Sequence, residues 1–121
     1  MKKDKCLFLM ITVLLFIGCI QPKEKKPGAL ITPRKMAEIL TDLQIADAWI
    51  AIKQNEGQDI KLLSTQIEDS LFKKHHITRA QFDTSMVWYS AHAEELDKIY
   101  DQVIQQLELL KEQNKTSKKQ N

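Results

Sequence analysis

Residues Thr32 to Gly57 read TPRKMAEILTDLQIADAWIAIKQNEG, and the fold class follows from this stretch. Thr32 stands directly before Pro33, a hydroxyl acceptor followed by a residue whose fixed φ and missing N–H suit the first helical position. Met36, Ile39, Leu40, Leu43, Asp47 and Ile50 then recur at helical spacing. At the far end Asn55-Glu56-Gly57 stops the pattern, because glycine can take the left-handed conformation that closes a helix. The stretch is a helix from about Pro33 to Gln54.

Working outward, the same grammar repeats. Asp59 can cap a second helix with an Ile60, Leu63, Ile67, Leu71 stripe that ends near Lys73-Lys74-His75-His76, where positive side chains suit the negative end of the helix dipole. Thr78 and Gln81 have the spacing of a capping box, with Ile77 as a staple against Phe82, for a third helix whose apolar face is Phe82, Ser85-Met86 and Tyr89. After a break near Ser90 to His92, Leu96, Ile99, Tyr100, Val103, Leu107 and Leu110 carry a fourth helix to about Glu112, with Glu94 and Glu95 in its first turn. There is no strand-like alternation, internal repeat or glycine-rich loop. The expected fold is all-α, a small bundle of four helices at 33–112.

The flanks are of another kind. Met1-Lys2-Lys3-Asp4-Lys5 is a basic start, and Cys6 to Ile17 is apolar except for Thr12. Spanning a bilayer takes roughly 20 apolar residues, so this run is too short for an uncleaved anchor. It ends in Phe16-Ile17-Gly18-Cys19, which resembles the lipobox of bacterial lipoproteins, where signal peptidase II cuts before a cysteine carrying diacylglycerol. Phe16 departs from the usual Leu, Val or Ile. The expectation is a signal peptide at 1–18 and a lipidated Cys19, with two or three acyl chains supplying the anchor. A tether at 19–32, with Pro22, Pro27, Gly28 and a lysine cluster, leads to the domain; its last thirteen or so residues could span about 40 Å. At the other end, 113–121 is polar and lysine-rich and reads as disordered.

Cleavage would alter the charge. The chain has 18 Lys+Arg and 16 Asp+Glu; Lys2, Lys3, Lys5 and Asp4 leave with the signal, and the mature chain is formally neutral. It therefore lacks the positive footprint of nucleic-acid binding. Cys6 leaves too and Cys19 becomes a thioether, which excludes disulfides, thiolate catalysis and cysteine metal sites together.

The runs Leu40-Thr41-Asp42-Leu43, Ile77-Thr78, Phe82-Asp83-Thr84-Ser85, Tyr89 and Leu96-Asp97-Lys98-Ile99-Tyr100 together resemble a family of small Bacteroidota lipoproteins, domain of unknown function 4296. The resemblance covers nearly all of the mature domain. It implies a helical fold in the cell envelope, and it supplies no activity or catalytic residue to carry over.

Few constellations carry chemistry. His75, His76 and His92 are the only histidines; adjacent helical residues point about 100° apart, so His75 and His76 cannot converge on one metal. Asp47 falls within the apolar stripe, where a bare carboxylate is costly, and is expected to be buried and hydrogen-bonded to Tyr89, Tyr100 or a helix N-terminus. Ile45, Trp49 and Ile52, with Ala48 among them, make a second apolar face on the same helix. Either that helix is central in the bundle or the face docks a partner. Trp88, following Val87 off its own stripe, poses the same question. Ile45, Trp49, Ile52 and Trp88 are thus the candidate partner-binding residues.

The function expected from these residues is non-enzymatic: an envelope lipoprotein that binds a protein partner as an accessory subunit of an outer-membrane assembly or transport complex. No cofactor, metal, nucleic acid or small-molecule substrate is implied. A chaperone-like holdase and an enzyme built on Asp47 and a histidine are the alternatives; the second lacks a nucleophile and an oxyanion-binding loop. Ile20 after the cysteine, rather than an inner-membrane-retaining Asp, favours the outer membrane by analogy, and Glu24 among lysines favours its periplasmic face.

Overall fold

The computed structural model describes residues 25–119, so the expected signal peptide and lipidation site Cys19 lie outside the described residues. Four helices follow one another: α1 Pro33–Asn55, α2 Ile60–Lys74, α3 Arg79–Ser90 and α4 Ala93–Lys119. The helix starts are those the sequence predicts. The Thr32 hydroxyl accepts from the Lys35 N–H at 3.4 Å, and Asp59 accepts from the Lys61 N–H at 3.0 Å. At α3 the capping box is complete, with Gln81 N–H donating to Thr78 Oγ1 at 3.1 Å and Thr78 N–H to Gln81 Oε1 at 2.9 Å.

Two helices end in the same six-residue Schellman turn. After α1, the Gly57 N–H donates to the Gln54 carbonyl and the Gln58 N–H to that of Lys53, with Gly57 at φ +80. After α2, His76 donates to Lys73 and Ile77 to Phe72, with His76 at φ 54. A histidine takes the left-handed conformation only at some expense. The turn it makes delivers Ile77 onto the core.

α1 packs along α4 and against α2, and α3 packs on α4. Lys35, Glu38 and Asp42 of α1 line a cavity with Gln106 to Gln113 of α4, while Ile45 lines one with Leu107 to Lys118. Advance along α1 is thus matched by advance along α4, and the two run in the same direction. The core joins Met36, Ala37, Ile39 and Leu40 of α1 to Phe72, Trp88, Tyr89, Ile99 and Val103.

Ile31 belongs to this core, although it precedes every helix. Its N–H donates to Ser85 Oγ at 3.0 Å, and its carbonyl accepts from the Tyr89 hydroxyl at 2.6 Å. Ser85 and Tyr89 are fully buried, and Ser85 also donates to the Gln81 carbonyl at 2.7 Å. An extended residue entering a core brings two backbone groups that must be paired, and α3 supplies one acceptor and one donor for them. The predicted tether at 19–32 is corrected over its last residues, from Pro27 to Thr32. A turn closed by Leu30 N–H on the Pro27 carbonyl at 3.2 Å starts the ordered domain, and Leu30 packs on the core.

Over 113–119 the predicted disordered tail is corrected as well, since α4 continues to Lys119. Extending a helix that is already nucleated and packed fixes one residue per new hydrogen bond, so no apolar face is required. The stretch contains neither glycine nor proline. Lys115 pairs with Glu112 at 2.8 Å, and Thr116 and Ser117 donate to the carbonyls of Glu112 and Gln113.

Candidate functional site

The second apolar face of α1 is exposed. Ile45 and Trp49 each keep 45% of their surface in solvent and Ile52 keeps 55%. The reason is geometric: the core ends with Leu40 and the half-buried Leu43, and the rest of α1 projects past it. Lys53 lies over the Trp49 ring at 5.5 Å and also pairs with Glu56 at 2.8 Å, covering part of one indole face with its chain.

Across a groove from this face runs the projecting part of α4. Ile45, Leu107 and Leu110 line a cavity of about 490 Å³, bordered by Lys111, Asn114, Lys115 and Lys118. Counted at about 100° per residue, Leu107, Lys111, Asn114 and Lys118 share one face of α4. That face is apolar where it meets the core and cationic beyond it. Ile104, Leu109 and Leu110 are exposed as well.

Trp88 is corrected as a partner-binding residue. It is 8% exposed and sits in the core, edge-on to Tyr89 at 5.3 Å and stacked on His92 at 3.7 Å. His92 is held flat against it by an Nδ1–H donated to the Trp88 carbonyl at 2.7 Å. Lys26, from the segment before α1, covers the ring at 5.2 Å. Counting the α3 stripe from Phe82 missed this, because Trp88 is buried against the loop into α4 and the incoming segment, not against the stripe's own neighbours. Its Nε1 has no hydrogen-bond partner among the described residues.

Asp47 is exposed and has no hydrogen bond among the described residues, against the expectation of burial. It does share the Met36 face, but no element crosses that face so far along α1. The buried-side carboxylate is Asp42 instead. Its Oδ2 accepts from Lys74 Nζ and from His75 Nε2, both at 2.7 Å, tying α1 to the end of α2. Partial burial pushes the Asp42 carboxyl up, yet the hydrogen bonds and charges of Lys74 and His75 outweigh it, and the net displacement is downward. His75 is itself buried. The sequence signal for this pair was weak, since it joins residues 33 positions apart.

Asp42 is held by Lys74 and His75, and Ser85, a buried hydroxyl, by Ile31 and Gln81. Among the described residues no group of three His, Cys, Asp or Glu is placed to hold a metal ion. Nor is any helix among them long and apolar enough to cross a membrane.

No curated protein and no solved structure gives a significant match to the chain. A family model does: residues 27–113, from the turn that opens the ordered domain to the middle of the projecting part of α4, match the one described as Domain of unknown function (DUF4296). As that match takes in most of the chain, the protein belongs to the DUF4296 family.

Proposed function

We propose that this protein is a lipid-anchored envelope lipoprotein of a bacterium of the Bacteroidota, acting without catalysis as a protein-binding accessory subunit of an outer-membrane assembly or transport complex. The observation that carries the binding role is the uncovered face of Ile45, Trp49 and Ile52 on α1. Three large apolar residues lie exposed on one face of this helix, and among them a half-exposed tryptophan offers a rigid, low-entropy anchor to a partner. Met36 is fully buried and Met86 half-buried, so the soft side chains that suit a promiscuous holdase are not offered to a client. A specific partner fits better.

The anchor rests on the sequence of residues 1–19. With the domain beginning at Pro27, eight chain steps from Cys19 allow at most about 29 Å between lipid and fold. A partner on this reading lies in or near the same membrane. The test is a photo-crosslinking residue at Trp49 of the full-length protein in intact cells, with a second at Leu62, an exposed apolar residue of α2, as control. A single discrete adduct from position 49 and none from 62 is the expected result. Equal, diffuse crosslinking from both would count against a specific partner.

A further inference from the structure

The groove beside Ile45 has two unlike walls, and that difference describes what fits it. The α1 wall is Ile45, and Trp49 and Ile52 follow it on the same face of the helix. The α4 wall begins apolar at Leu107 and Leu110 and then turns cationic at Lys111, Lys115 and Lys118. No carboxylate lines the groove. Glu112 reaches Lys115 at 2.8 Å, but Lys111 and Lys118 have no ion pair among the described residues. The groove lies between two helices, the position a third helix takes in a bundle.

We infer that this groove binds an amphipathic helix of a partner protein, one whose apolar stripe is bordered on one side by carboxylates. The inference rests on the protein-binding reading above and narrows it to a partner chemistry. An apolar stripe laid against Ile45, Leu107 and Leu110 loses water from both surfaces, and a row of Glu or Asp at helical spacing then meets Lys111 and Lys118. Only one orientation of the incoming helix satisfies both walls, so charge fixes its direction while burial supplies affinity. A bilayer, although it would also attract lysines, is a broad surface that cannot enter a channel between two helices. Lys115 and Lys118 lie beyond residue 113, where the family match ends, whereas Ile45, Leu107, Leu110 and Lys111 lie inside it. The last turns of α4 thus place extra positive charge beside a groove built by the family's domain.

The test uses the full chain in phosphatidylcholine nanodiscs, with empty discs as background, and three labelled synthetic 18-residue helices. The peptides share one leucine stripe and differ in its flank, which is Glu, Gln or Lys. The Glu peptide is expected to bind saturably and at least tenfold more tightly than the Gln peptide, with the Lys peptide weaker still and the Glu advantage shrinking as salt rises. Lys111→Gln with Lys118→Gln should remove that advantage and leave the Gln peptide's affinity unchanged. Ile45→Ser should weaken both peptides tenfold or more. All these positions are exposed, and unchanged melting curves establish that the variants fold. Equal binding of the three peptides, or Glu-peptide binding indifferent to the lysine substitutions, overturns the inference. So does protection of Lys111 and Lys118 from amine acylation by phosphatidylglycerol discs alone, which identifies the membrane as the occupant, or by raised protein concentration alone, which identifies a second copy. If the peptides fail while the Trp49 crosslink still yields a discrete adduct, the partner chemistry falls and the protein-binding reading stands. Loss of both ends both.

Discussion

The two halves of α1 carry apolar residues at the same helical period and of similar size, yet they meet opposite fates. Met36, Ile39 and Leu40 are sealed between α2, α4 and the Ile31 segment, while Ile45, Trp49 and Ile52, one to four turns further along, stand half in water. The two tryptophans mark the contrast: Trp88 is stacked, covered and in the core, and Trp49 lies open under a lysine chain. An amphipathic period states that a face can be buried. Whether a neighbour is there to bury it depends on the lengths and directions of other helices.

The sharpest way to break this contrast is to truncate both tryptophans. Trp88→Ala should destabilise the fold by about 3–5 kcal/mol, since it empties a packed site between α3, His92 and Lys26. Trp49→Ala should change stability by less than about 1 kcal/mol, within the range of surface substitutions and of one exposed cation–π contact. Urea unfolding followed by far-ultraviolet circular dichroism measures both. Comparable losses would mean that the outer half of α1 is packed after all.

Next in size is the clasp that closes the inner half. Tyr89→Phe removes the donor to the Ile31 carbonyl and leaves that buried acceptor unpaired, a loss of about 1–3 kcal/mol. Hydrogen exchange should report it locally, with the Ile31 amide, which donates to Ser85, losing protection more than the amides of α2. Uniform loss of protection would instead make the clasp inseparable from global unfolding.

The two Schellman turns refine the comparison at the helix ends. Gly57 closes the exposed end of α1 with the residue its φ requires, while His76 does so beside the core with a residue that pays for the same conformation. His76→Gly should therefore stabilise by up to about 1 kcal/mol, and Gly57→Ala should destabilise by about the same amount. Thermal melts distinguish the opposite signs. A destabilised His76→Gly would show that the histidine side chain contributes more than its backbone strain removes.

The smallest effect expected is that of the Asp42 pair. The Asp42 carboxyl lies below its ordinary value in the folded protein, because Lys74 and His75 outweigh the opposing desolvation. Its stabilisation is therefore present in full above the ordinary carboxylate range near pH 4 and is lost as pH falls through the lower folded value. Asp42→Asn should cost no more than about 1 kcal/mol at neutral pH, the site being partly solvated, and this difference should shrink as the pH falls below the ordinary carboxylate range. A difference that persists in acid would place the effect in packing, not charge.

Much of the fold was legible because its signals are local. Thr32-Pro33, Asp59, the Thr78–Gln81 box and Gly57 each act within a few residues of where they stand, and all four do in the structure what their chemistry suggests. The misses share a different cause. Asp47 was expected to be buried from its face alone, while Asp42, the carboxylate with partners, meets them 32 and 33 residues away. The tail beyond Gln113 looked structureless because composition does not show that α4 arrives there already nucleated.

The sequence by itself determined the number of helices, their caps and the stripe each turns inward, since these depend on hydrogen bonds and periods a few residues long. Only the tertiary structure decided which stripe found a neighbour, that Ile31 was drawn from the tether into the core, that Trp88 was covered and that Trp49 was left open. Those outcomes depend on where helices of unequal length run side by side and where they outrun one another. α1 and α4 share a direction and both extend past the core they build together, and a groove lined by Ile45, Leu107 and Leu110 and bordered by lysines is what remains between their outer parts.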